Sequence, residues 1–231
     1  MTESVTHGRS VKFTKYDKTP TWIKITGERD IHGGGVFGQI FLTDTLVLGR
    51  PRRFIVKKFL GNPDRAKREA ERAFNNYRKA KNAGLKVLPT YRISGDNTSI
   101  LMTNLNVDST LVLSNNRDLG ELGLPPIRNE ALTPGLTDSI IEHAKLASEH
   151  KILIPVDAYF FLYNQVQQTT DFTLGDLDKL GQDVSAEHAL WYNLKTARSA
   201  VMSFMASNSE SPYLQIRNAD ARFKAEGEMG N

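Results

Sequence analysis

From Trp22 the chain carries three short runs rich in β-branched and aromatic residues, at 21–32, 36–43 and 52–60. Such runs predict strands. Gly33-Gly34-Gly35 separates the first two, and Gly49-Arg50-Pro51 separates the second from the third. Asn62-Pro63-Asp64 predicts a helix start, because proline suits a first turn. Ala66, Ala70, Ala73, Phe74 and Tyr77 then recur at helical spacing until Gly84. Two more strand patterns follow, at 86–94 and 98–105, joined by Gly95-Asp96-Asn97. Residues 106–136 have only weak periodicity and read as an irregular connection with one short helix. Thr137-Asp138 is placed to cap a helix over 139–151. A strand pair at 158–164 and 171–178 surrounds the polar turn at 165–170, and a last helical region runs over 186–207. Trp191, Tyr192, Leu194, Met202 and Phe204 are expected to be its buried face. The tail after Pro212 is polar and helix-compatible, and the polar residues 1–20 are expected to form a flexible N-terminus.

The 231 residues contain no cysteine, which excludes disulfides, thiolate metal sites and a cysteine nucleophile. No apolar run is long enough to span a bilayer and no signal-peptide core is present, so a soluble, cytosolic type of protein is expected. The net charge of +4 is uneven: Arg50 to Lys86 holds 13 Lys/Arg against 3 Asp/Glu, and the rest is net acidic. Such a segment could hold phosphates or an acidic surface, or simply form a solvated helix face. It lacks the interleaved aromatics of nucleic-acid modules, so no nucleic-acid partner is expected. The five histidines show no metal-ligand spacing, and Gly-x-Ser-x-Gly is absent.

The sharpest chemical signal is Ile31-His-Gly-Gly-Gly-Val-Phe-Gly-Gln-Ile40, where Gly33, Gly35 and Gly38 fit G-x-G-x-x-G. A dinucleotide-binding fingerprint runs from a strand into a helix. Here strand patterning lies on both sides, so a hairpin could fold over a nucleotide with its backbone N–H groups near the phosphates. The next strand, Phe54-Ile55-Val56-Lys57, ends an apolar run on a lysine. Lys58 alternates to the other face. An acidic partner for Lys57 should lie on the following helix. Glu69 is preferred over Glu71 because it shares a face with Ala66, Ala73 and Tyr77.

In this order of features, residues 22–106 resemble the N-lobe of a protein kinase. The resemblance implies an α+β, bilobal fold. A five-stranded antiparallel N-lobe with one helix would cover 21–105, and a reduced, mainly helical C-lobe would cover 106–231. It also implies ATP and Mg²⁺ as cofactors. Gly33, Gly35, Gly38 and Lys57 would hold the phosphates, Glu69 would orient Lys57, and Met102 and Asn104 would line the adenine pocket and hinge. In the second half, Asp157 resembles the catalytic-loop aspartate and Asp176, in Leu174-Gly-Asp-Leu-Asp178, resembles the D-F-G aspartate. Asn164 and Asp178 are further candidate Mg²⁺ ligands, and Asp171 in Asp-Phe-Thr rivals Asp176. The H-R-D motif is replaced by Pro155-Val156-Asp157, and Leu162 stands where the metal-binding Asn is expected. Asp157 is therefore either the base or a metal ligand.

Only 53 residues follow Asp178, with no A-P-E signature. That truncation resembles the minimal kinases that bacterial pathogens inject into host cells by type III secretion, with the HopBF-like family as the nearest likeness. The resemblance implies a monomeric serine/threonine kinase, a bacterial effector acting on a host protein such as the Hsp-ninety chaperone, with no membrane partner. Two alternatives stand beside it: an aminoglycoside-type small-molecule kinase, and a pseudokinase that docks an acidic partner through its basic helix.

Overall fold

The computed structural model describes residues 9–14, 20–30, 38–47, 50–93, 97–107, 109–114, 118–132, 134–177, 180–181 and 184–228. The chain divides into two compact units, Met1–Arg78 with Leu88–Asn104 and Lys79–Val87 with Leu105–Asn231. It is an α+β protein, and among the described residues no helix is long and apolar enough to cross a membrane.

In the first unit, six strands close into an antiparallel barrel. They are β1 (Arg9–Thr14), β2 (Pro20–Asp30), β3 (Gly38–Val47), β4 (Arg50–Phe59), β5 (Thr90–Ile93) and β6 (Ser99–Thr103). The order is β1-β2-β3-β4-β6-β5, and β1 pairs with β5 to close the ring. Two corrections follow. The sheet has six strands rather than five, and the stretch expected to be a flexible N-terminus contains one of them. The reason is Phe13: it is 3% exposed and packs with Ile23, Ile25, Val56 and Leu101 in the barrel interior. A short polar-flanked strand gives little local signal, but burying one phenylalanine is worth roughly 2–3 kcal/mol.

Helix α1 (Pro63–Asn82) lies on the outer face of this sheet. Asn62 caps it by accepting from the N–H of Arg65 at 2.9 Å. Gly84, at φ +80°, ends it, with Leu85 N–H donating to Ala80 O across the turn. The alanine face of α1 is buried: Ala66, Ala70 and Ala73 pack with Phe59, Ile100 and Met102. Small side chains there let the helix backbone approach the strands closely.

The second unit pairs a three-stranded antiparallel sheet with helices. The sheet order is β7 (Thr110–Leu113), β8 (Tyr159–Asn164), β9 (Thr169–Leu174). Strand β7 lies in the segment expected to be irregular, which also holds a short 3-10 turn at Asn129–Ala131. Helix α2 spans Pro134–Glu149, α3 Ala186–Asn208 and α4 Pro212–Glu228. The start of α2 corrects the expected cap at Thr137-Asp138, since Pro134 takes the first turn and Thr137 is buried inside the helix. Asp138 instead pairs with Arg222 of α4. Phe161 of β8 stacks flat on Phe204 of α3, at 4.0 Å between ring centroids, and ties sheet to helix.

Candidate active site

In the first unit the last glycine of the motif, Gly38, meets the lysine strand. Gly33 and Gly35 lie outside the described residues. Gly38 opens β3 and pairs with Phe59 of β4. A Cβ added at Gly38 would sit 3.0 Å from the carbonyl oxygen of Lys58 and 3.3 Å from Cε of Lys57. The β3 backbone therefore rides directly on the Lys57 side chain, and a larger residue at 38 would require that side chain or the Lys58 carbonyl to give way by a few tenths of an ångström. Lys57 is 8% exposed. It alternates with Ile55 and Phe59, the β4 residues packed under α1, and its Nζ lies 5.2 Å from the Phe59 ring. Lys58 is on the opposite face, where it pairs with Glu28 at 3.2 Å and lies over Phe41. The alternation expected for this strand is thus the alternation observed.

Glu69 sits on the flank of the buried alanine stripe, with a half-buried side chain. Its carboxylate is held 2.5 Å from the Arg72 guanidinium one turn along. Glu71 is exposed. Met102 is buried in the layer between sheet and helix, and Asn104, just beyond β6, is half-buried. Gly38→Ala is expected to displace Lys57 and weaken binding of a non-hydrolysable ATP analogue about tenfold, equivalent to roughly 1.4 kcal/mol. Calorimetric titration of the two proteins checks this.

In the second unit, two aspartates flank the same end of the β8–β9 hairpin. Tyr159 pairs with Leu174 at that end, and Gly175 N–H donates to Ala158 O at 2.9 Å. Asp157 is the residue before Ala158 and Asp176 the residue after Gly175, so the two lie one step outside a shared backbone hydrogen bond. Asp157 occupies a short 3-10 turn, Val156–Ala158, and is exposed. Asp176 is half-buried and has φ +49°. That left-handed conformation costs most L-residues about 1–2 kcal/mol, and Asp and Asn tolerate it better than the others.

The other candidates are placed elsewhere. Asn164 is at the turn end of the hairpin, about 17 Å along β8 from Tyr159. Its Oδ1 accepts from the N–H groups of Val166 and Gln167 at 3.0 and 2.8 Å. It is a turn-forming residue and is not brought to Asp176, which corrects its reading as a Mg²⁺ ligand. Asp171 sits in β9 opposite Leu162 and forms an ion pair with Lys86, whose ammonium also lies over the Phe172 ring. Asp178 lies outside the described residues. Among the described residues, no group of three or more His, Asp or Glu side chains is placed to hold a metal ion.

One residue of this region carries no motif. Asn193 of α3 is fully buried, and its Oδ1 accepts from Ile154 N–H at 2.8 Å. Its amide nitrogen donates to Ile152 O at 2.7 Å and to Ser148 Oγ at 3.1 Å. Thr196, one turn on, donates to Ile154 O at 2.8 Å. Together they tie the segment leading into Asp157 to the helix core. Here the expected buried face of α3 is corrected, because Trp191 is 59% exposed while Asn193 is inside. A polar residue in an apolar helix pattern reads as surface unless its partners are known.

No protein-family model matches this chain, and no curated protein matches it. The site therefore rests on its own chemistry. Nearby, burial pushes the Tyr159 phenol well above its ordinary range. It stays protonated at neutral pH and is no proton acceptor. The Asp157 side chain is exposed at this end of the hairpin.

Proposed function

We propose that this protein is an ATP- and Mg²⁺-dependent kinase that transfers the γ-phosphate to a serine or threonine hydroxyl of a protein. The observation that carries the reading is the pair Asp157 and Asp176 astride one backbone hydrogen bond, with Asp176 in a left-handed backbone conformation. The strand–glycine–strand arrangement with Lys57 beneath Gly38 supports the nucleotide side. Mg²⁺ prefers one or two carboxylates together with substrate phosphates and water, not a dedicated protein cage. Two neighbouring aspartates fit that demand, so Asp176 would hold the ion, which would neutralise charge on the phosphates.

Within this reading, Lys57 binds the phosphate oxygens from a buried position where its charge acts strongly. Glu69 would orient Lys57, and release from Arg72 frees its carboxylate to do so. Asp157 accepts the hydroxyl proton or aligns the hydroxyl, and Met102 and Asn104 take the adenine side. Most of the rate would come from positioning and preorganised charge. The likeness to minimal effector kinases makes a host chaperone the first protein substrate to try.

The test is incubation with γ-labelled ATP and Mg²⁺ beside host-cell lysate, generic protein substrates and amino sugars. Label is expected on protein and should fall at least roughly 100-fold in Lys57→Ala, since one charge-stabilising donor is worth about that much. Label on amino sugars alone, or nucleotide binding with no turnover, would overturn the proposal.

A further inference from the structure

The outer face of β1 and β2 in the first unit combines one large exposed aromatic with a row of cations. Trp22 is 63% exposed, the most exposed large apolar residue of the barrel. Lys12 is its direct cross-strand partner on β1, and Lys24 lies two residues along on the same face. Both lysines are exposed. Directly opposed residues bring their Cβ atoms about 5 Å apart, and residues i and i+2 stand roughly 7 Å apart along a strand. Two lysines thus stand as neighbours of Trp22 on this face, one across the ladder and one along the strand.

A bulge in β2 decides the rest of the face. The register with β3 shifts between Ile25 and Gly27, so one extra residue enters β2 and the side-chain alternation reverses beyond it. Glu28 is thereby turned to the inner side, where its carboxylate meets Lys58 over Phe41. Arg29 comes to the outer face in its place. Without the bulge, the outer row would end on Glu28. With it, the row reads Trp22, Lys24, Arg29, with Lys12 alongside. Among the described residues, Asp44 is the carboxylate on the outer face of β1–β3, and Arg53 holds it at 3.1 Å. The unit as a whole has 17 Lys/Arg against 9 Asp/Glu, while the other unit has 13 against 17.

We propose that this face docks an extended, carboxylate-rich protein segment, with an apolar side chain of the partner seated on Trp22. Charge complementarity selects an anionic partner. A protein is favoured over a nucleic acid because sequence-tolerant strand binding uses several aromatics to stack successive bases, whereas this face offers one. A single tryptophan rimmed by cations has the form of a protein-interaction anchor. The barrel is closed, so the partner has no free edge to extend and is read by its side chains. With the bulge, the row from Trp22 to Arg29 covers six ladder steps, about 20 Å, room for an extended segment of roughly six or seven residues. The inference deepens the proposed function by locating where a protein substrate is held. It rests on that reading only for the purpose of docking.

The probe is a synthetic peptide of alternating Asp and Glu around a central Phe-Leu, labelled with fluorescein and titrated by anisotropy without ATP. Binding is expected to weaken at least tenfold in Trp22→Ala and in the Lys12→Glu/Lys24→Glu double variant, and to fall with added salt. Trp22→Phe should retain most of it. In a Trp191→Phe background Trp22 is the remaining indole, and its emission should change on binding. Asp176→Ala should bind the peptide undiminished, which separates failure of docking from failure of catalysis. Circular dichroism confirms that the variants fold. Unchanged affinity in the Trp22 and lysine variants, or tighter binding of single-stranded oligothymidylate than of the peptide, overturns the proposal.

Discussion

Asp176→Asn, Asp176→Ala and Asp176→Gly are each expected to lower phosphoryl transfer by at least about 100-fold, the scale seen when one preorganised electrostatic group is removed. Their stabilities should nevertheless diverge. At φ +49° the backbone of residue 176 is in the left-handed region. Alanine there bears the full steric cost, and glycine bears none. Glycine gives back part of that advantage because its unfolded chain has more freedom. The net expectation is that Asp176→Gly is more stable than Asp176→Ala by roughly 0.5–1 kcal/mol. Asn tolerates this conformation better than Ala, so Asp176→Asn should fall between them. Denaturant unfolding beside labelled-phosphate assays measures both quantities. A variant that keeps its activity would remove Asp176 from the site, and an alanine protein as stable as the glycine one would remove the left-handed backbone from the account of its stability.

The second large effect is expected at Asn193. Asn193→Ala leaves the Ile154 N–H and the Ile152 carbonyl without their partners in a fully buried place. An orphaned buried group costs about 1–3 kcal/mol, so the expected loss is about 2–5 kcal/mol. Activity should fall further than the folded fraction alone explains, because the same segment positions Asp157. Asn193→Asp is the sharper probe. A carboxylate still accepts from Ile154 N–H, but it faces the oxygens of Ile152 and Ser148 and has no proton to offer. Burial and those oxygens raise its folded-state pKa above the unfolded value of about 3.9. The folded protein then binds more protons than the unfolded one, so stability is lowest above the raised pKa and recovers as pH falls through it. Thermal melts across mildly acidic pH check this sign, and the unsubstituted protein supplies the reference.

Much of the architecture could be read from the chain because the elements concerned carry strong local signals. The α1 pattern of Asn62, Pro63, a stripe of alanines and Gly84 names its cap, its first turn, its buried face and its end. The strands β2, β3 and β4 are marked by β-branched runs with glycine between them. Strands β1 and β7 were not legible, because β1 mixes polar and apolar residues and β7 is only four residues long, and each looks like loop until a partner strand is known. Asp176 could be singled out by its motif, but its left-handed backbone could not. Asn164 was misplaced for a related reason: sequence proximity to Asp157 says nothing about which end of a hairpin a residue occupies. Six strand residues put it a strand's length away.

What the sequence by itself determined is the local layer: which stretches alternate, which repeat at helical spacing, where glycine permits close approach, and that Lys57 and Lys58 must face opposite ways. Tertiary structure decided the rest. Closure of the barrel brought in β1, the bulge in β2 chose Arg29 over Glu28 for the outer face, and packing buried Asn193 while leaving Trp191 exposed. The physical reason is range. Propensity and periodicity act within a few residues, whereas burial of Phe13 or satisfaction of Asn193 depends on groups tens of residues away in the chain.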